Sequence, residues 1–157
     1  MQKGFSRMPT AAFVILTVAA CLLASRHLFG QEPNPSADVS DLTMTCISCT
    51  EQTGSFTITN VTDEPAPVTI ETITGSIEFI GRRGKRTTCT TPTFAFSAGP
   101  GTVIGPGEEL LVTYTATCGD PCPDEARELK NFVDVKLVGR NKLFHGSGSC
   151  DLEFEDD

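Results

Sequence analysis

Leu110-Leu-Val-Thr-Tyr-Thr-Ala-Thr117 decides the fold of this chain. Leu110, Val112, Tyr114 and Ala116 fall on one face of an extended segment, and Thr113, Thr115 and Thr117 on the other. That period of two marks a β-strand with one buried and one wet face. The pattern recurs on either side. Phe56 and Ile58 alternate with Thr57 and Thr59, and Val133, Val135 and Leu137 with Asp134 and Lys136. Cys150, Leu152 and Phe154 alternate with Asp151, Glu153 and Glu155. In residues 68–74 Val68 and Ile70 share a face; Gly75 then breaks the run, and Ile77 and Phe79 resume it.

Turn residues separate these segments: 60–67 (NVTDEPAP) and the Pro- and Gly-rich stretch from Pro92 to Gly107 leave no room for long helices. Only 124–130 (DEARELK) has helix-forming composition, for two turns at most. The expected fold is therefore all-β, a sandwich of about seven to eight antiparallel strands. Without βαβ alternation, a doubly wound nucleotide-binding fold is excluded.

Residues 1–30 read differently. Lys3 and Arg7 precede a 14-residue apolar run, 11–24, which is a secretory signal peptide. A transmembrane span needs about 20 apolar residues, so this run is too short to be one. Val18-Ala-Ala-Cys21 resembles a bacterial lipobox, making lipid anchoring at Cys21 the alternative to a cut near Gly30. Residues 31–41 (QEPNPSADVSD) have the composition of a disordered linker, 42–155 form the sandwich, and 156–157 are an acidic tail. The protein is expected to be secreted or held at the cell surface.

The charge sharpens once the signal is removed. The full chain carries 12 basic and 20 acidic residues, net −8; without Lys3, Arg7 and Arg26 the net is −11. Such a domain lacks the basic footprint of a nucleic-acid binder. Four of the nine remaining basic residues nevertheless sit together in Gly81-Arg-Arg-Gly-Lys-Arg86. Arg82, Arg83, Lys85 and Arg86 read first as a solvated hairpin loop whose charge discourages edge pairing. They are also the candidate site for an anionic protein or glycan partner, and Arg83-Gly-Lys-Arg86 resembles the recognition run of secretory-pathway convertases of a eukaryotic host.

Two short runs carry a family resemblance. Gly54-Ser-Phe-Thr-Ile-Thr-Asn60 followed by Pro67-Val-Thr-Ile70 resembles the early strands of immunoglobulin-like domains in exported proteins. Ile104-Gly-Pro-Gly-Glu108 followed by Leu110-Leu-Val-Thr-Tyr114 is similar to their later Pro-Gly-Glu turn and strand. The resemblance implies architecture and no particular function. The antibody-type core Trp and its Cys-Trp-Cys spacing are missing.

Six cysteines follow the signal: Cys46, Cys49, Cys89, Cys118, Cys122 and Cys150. In an exported domain an even number reads as three disulfides, with 15 connectivities open. Cys118-Gly-Asp-Pro-Cys122 contains a natural turn, so Cys118–Cys122 is the favoured bridge; Cys46, Cys49, Cys89 and Cys150 stay unassigned. The alternative is a zinc protein with Cys46, Cys49, Cys118 and Cys122 as four thiolate ligands. Asn60-Val-Thr62 fits the N-glycosylation pattern in a turn.

Catalytic equipment is sparse. His145, in an expected loop with Ser147 and Ser149 nearby, is the only histidine after the signal. No Gly-x-Ser-x-Gly elbow or phosphate-binding loop occurs. The expectation is no catalytic residue and no cofactor, in a disulfide-stabilised, non-catalytic binding or structural module. A small hydrolase using acidic residues is the remaining alternative.

Overall fold

The computed structural model describes residues 34–152; the expected signal, the first residues of the expected linker, the end of the expected sandwich (153–155) and the acidic tail lie outside this range. Ten strands occur within it: β1 Ala37–Val39, β2 Thr43–Cys46, β3 Glu51–Asn60, β4 Val68–Gly81, β5 Arg86–Thr88, β6 Pro92–Phe96, β7 Val103–Ile104, β8 Glu109–Cys118, β9 Ala126–Leu137 and β10 Leu143–Asp151. They form two antiparallel sheets. The first runs β1-β3-β8-β6, with β2 also paired to β3; the second runs β10-β9-β4-β5, with β7 also paired to β4. The two inner faces pack into one core, in which Phe56, Ile58, Val112 and Tyr114 of the first sheet face the fold's interior with Ile77, Phe79, Leu129, Val133 and Val135 of the second. Two to three more strands form than the alternation suggests, because β2, β5 and β7 are too short to show a period.

The strand that decides the fold behaves as read. In β8, Val112, Tyr114 and Ala116 are buried and Thr113, Thr115 and Thr117 exposed. Burial raises the Tyr114 phenol above its ordinary 10.0, an effect partly offset by the Asn131 amide, which donates to its oxygen at 3.3 Å.

Three departures occur, the first two caused by local irregularity of long strands. Gly75 does not break the chain: β4 is continuous over Val68–Gly81. A β-bulge between Ile70 and Thr72 shifts the alternation, so Ile70 and Ile73 both face inward. Gly75 itself leaves room for the Phe94 ring, since a Cβ there would lie 2.6 Å from a ring carbon. The helix expected at 124–130 is the start of β9. A register shift between Ile80 and Gly81 sets Glu128 against Ile80 and Ala126 against Gly81. Arg127 is the extra residue of that bulge, so Ala126 and Leu129 both face inward three apart, a spacing that imitates a helix. Finally, the expected linker contributes β1, with Ala37 buried, so ordered structure begins before residue 42.

The disulfides also differ from expectation. Cys46 pairs with Cys150, Cys49 with Cys122 and Cys89 with Cys118, at Cα separations of 5.7, 5.8 and 6.0 Å. The favoured Cys118–Cys122 bridge does not form. Cys118 is still strand, paired to Pro92, and turns inward beside Cys89, while Cys122 lies beyond the turn and meets Cys49. Local loop closure favoured the wrong pair. The actual bonds close separations of 104, 73 and 29 residues, which remove more unfolded-state entropy. With these partners, Cys46, Cys49, Cys118 and Cys122 are not four thiolates, and the zinc alternative falls.

Asp120 fastens the turn after β8. Its carboxylate accepts from the Thr90 backbone N–H, from the Thr90 hydroxyl at 2.8 Å and from the Thr91 hydroxyl at 3.0 Å. The Thr90 N–H first, then its hydroxyl, hold the Asp120 carboxyl below its ordinary 3.8. A depressed folded-state pKa gives stability that is complete above the unfolded value and lost as pH falls through the folded one.

At the opposite side of the core, residues 40–42 cross the inner face of β10. Leu42 N–H donates to the Ser147 carbonyl at 2.9 Å, and Leu42 is buried. A Cβ on Gly148 would lie 2.3 Å from the Leu42 carbonyl oxygen, and one on Gly146 2.7 Å from that of Ser40. Both contacts are with backbone, which cannot swing away.

Two outcomes follow. Gly148→Ala should lower stability by about 1–3 kcal/mol, the usual range for overpacking, as read from denaturant midpoints. The stability gap between the native protein and Asp120→Asn should be widest near neutral pH and close as pH drops below 4, in melts recorded across that range; a gap independent of pH would contradict the role given to the ionised carboxylate.

Candidate functional site

The basic tip is built by the β4–β5 hairpin. β4 ends at Gly81, a 3-10 turn spans Arg82–Gly84, and β5 returns with Arg86 opposite Ile80. Arg83 and Gly84 both take positive φ, 62° and 73°, which lets the chain reverse in so few residues. Gly81 N–H donates to the Lys85 carbonyl at 2.7 Å, and Arg82 N–H to the Glu125 carbonyl at 3.3 Å, tying the tip to the start of β9.

The structure brings Arg82, Arg83, Lys85 and Arg86 together as expected, and residues 82–88 are all exposed. Arg86 lies 3.6 Å from Glu78, an ion pair whose guanidinium is exposed and whose carboxylate is largely buried. Among the described residues, Arg82, Arg83 and Lys85 have no salt-bridge partner. Beneath the tip lies a cleft of about 310 Å³ with Lys85 and Thr87 among its lining residues, together with Asp124 and Glu125. The tip is thus cationic outward and mixed in charge at its base.

Asn60 is placed where a glycan cannot be. It is 2% exposed, and its Nδ2 donates to the carbonyls of Ala66 at 2.8 Å and of Ile104 and Gly105 at 3.1 Å. Its Oδ1 accepts from Thr62 N–H at 3.1 Å. The amide that a sugar would occupy instead joins the loop after β3 to the turn after β7. The triplet pattern carries no information about burial, which is why the glycosylation expectation fails.

His145 lies in β10 rather than in a loop, because Leu143–Asp151 pairs along β9. It stands opposite Asp134, with Nδ1 against Oδ1 at 2.5 Å. Ser147 and Ser149 follow it on the same outer face, opposite Phe132 and Lys130. Among the described residues one group of metal-capable side chains converges, Cys89, Cys118 and Asp120. Its two sulfurs are bonded to each other and its carboxylate is occupied by Thr90 and Thr91.

One surface went unread in the sequence. The outer face of the first sheet aligns Thr43, Ser55 and Thr113 across β2, β3 and β8, and Thr45, Thr53 and Thr115 beside them. An open groove of about 660 Å³ runs over these hydroxyls. The outer face of the second sheet carries Glu128, Lys130, Asp134 and Lys136 instead. Each threonine stripe was visible singly; that the strands are neighbours was not.

Comparison with known proteins supplies no family. No protein-family model and no curated protein matches the sequence. Among solved structures, a family 123 glycoside hydrolase from Clostridium perfringens is similar over 65% of this chain and 21% of its own, at 12% identity and a TM-score of 0.41. Spo0M, a sporulation control protein from Bacillus subtilis, is similar over 78% of this chain and 50% of its own, at 16% identity and a TM-score of 0.45. The Pseudomonas fluorescens alkylpurine DNA glycosylase AlkC, solved bound to DNA, is similar over 82% of this chain and 33% of its own, at 16% identity and a TM-score of 0.43. This chain spans half or less of each.

Proposed function

We propose that the protein is an exported, disulfide-stabilised sandwich of immunoglobulin-like type that serves as a non-catalytic binding module, with its basic tip taking an anionic protein or glycan segment. Export is supported by the charged start and apolar run of residues 1–24 and by three disulfides, which persist in oxidising compartments. Among the described residues no helix is long and apolar enough to cross a membrane. The immunoglobulin-like reading is supported by strand order: β1-β3-β8-β6 corresponds to A-B-E-D, and β10-β9-β4 to G-F-C, with β5 beyond as C′. It departs from antibody domains in having no disulfide between β3 and β9 and no tryptophan.

The observation that carries the binding role is the segregation of charge. Four of nine basic residues in a domain of net −11 project from one hairpin tip, three of them without a salt-bridge partner among the described residues. An anionic chain laid across the tip would find Arg82, Arg83, Lys85 and Arg86 within five consecutive exposed residues, and the acidic remainder would repel it from other faces. Arginine suits sulfate and carboxylate because its planar fork donates two hydrogen bonds at once.

Retention on immobilised heparin tests the reading. The native protein should bind at low ionic strength and elute as salt shortens the screening length. Replacement of Arg82, Arg83, Lys85 and Arg86 by Gln should abolish retention and lower the thermal transition by no more than the loss of the Arg86–Glu78 pair, since these side chains are exposed. Unchanged retention in that variant would refute the assignment.

A further inference from the structure

We propose that the same tip is a proteolytic processing site, cut by a trypsin-like protease to give a two-chain form held together by Cys46–Cys150 and Cys49–Cys122. The inference is independent of anion binding. It rests on how the hairpin is held and on how the strands and cysteines divide around it.

Proteases bind substrate as an extended segment, so a folded site must first open locally, and the cost depends on what the opening exposes. Here it exposes almost nothing. Every residue from Arg82 to Thr88 already faces solvent. What holds the segment is three residue pairings between β4 and β5, the Gly81–Lys85, Lys85–Arg82 and Arg82–Glu125 backbone bonds, and the Arg86–Glu78 pair. The opening is bounded by Cys89, which is buried and bonded to Cys118. Within it lie four basic residues, each acceptable to a protease that cleaves after Arg or Lys. Water adds across the bond, leaving a carboxylate on the basic residue and a new amino terminus on the next.

The product stays whole for two reasons. A cut in 82–87 leaves Cys46 and Cys49 on one side and their partners Cys150 and Cys122 on the other. The fragments are also interleaved: β3 pairs with β8, and β4 with β9, so each sheet is built from both pieces. Of the other basic residues, Lys142 is exposed between β9 and β10 and is the competing site, while others are held in place. Lys130 and Lys136 lie within β9, paired on both sides, and Arg140 is hydrogen-bonded to Asn34.

Limited digestion of the secreted protein with trypsin provides the test. The first cut, located by mass, should fall after Arg82, Arg83, Lys85 or Arg86. The product should run as one species without reductant and as two with it, and the Gln-substituted tip should lose this first cut. A first cut after Arg140 or Lys142, or separation of the pieces without reductant, would overturn the proposal. Protein recovered from its own source should carry a new amino terminus between 83 and 87; an uncut chain there would overturn the processing role even if trypsin cuts as expected.

Discussion

The crossing of residues 40–42 over β10 is the contact on which the sandwich closes. The backbone carbonyls of Ser40 and Leu42 approach Gly146 and Gly148 so closely that no side chain fits between them. The crossing brings the first-sheet strands β1 and β2 against the edge of the second sheet. Leu42 enters the core there, its N–H satisfied by Ser147. Cys46–Cys150 then locks the same corner covalently. An open sheet edge would otherwise present unpaired backbone groups to other chains.

The opposite corner is secured differently. Cys49–Cys122 and Cys89–Cys118 tie the loops around β8, and Asp120 hydrogen-bonds the segment between β5 and β6. Between the two corners the core has no tryptophan. Aromatic rings seated on glycines fill the space, Phe94 over Gly75 and Tyr114 over Gly54, and the rings of Phe56, Phe94, Phe96 and Tyr114 contact one another at centroid distances of 5.5–6.3 Å. Strand glycines that look like breaks in the sequence are thus sockets for rings. The tip at 82–86 is left outside these fastenings, supported only by short pairings, which suits both a surface contact and a cut.

Much of this was legible residue by residue. Alternation located the inner faces of β3, β8 and the end of β9, because a two-residue period is a local property of extended chain. The basic tip was legible for the same reason: charge and turn residues are contiguous in sequence. The start of β9 and the continuity of β4 were not, since a bulge inserts one residue whose effect on parity depends on the strand alongside. Asn60 shows the same limit at a single side chain, its glycosylation pattern being local while its burial depends on Ile104 and Gly105, more than 40 residues away.

The sequence by itself determined that this is an all-β, acidic domain with an apolar stretch at residues 11–24, six cysteines beyond it and one cationic hairpin. These follow from composition and short-range pattern, where each residue's chemistry speaks for itself. Only the tertiary structure decided which cysteines bond, which threonines share a face, and that a cut at the tip would leave two interleaved, covalently joined pieces. Those properties belong to pairs of residues tens of positions apart, brought together by burial of the common core, and no local pattern encodes the partner.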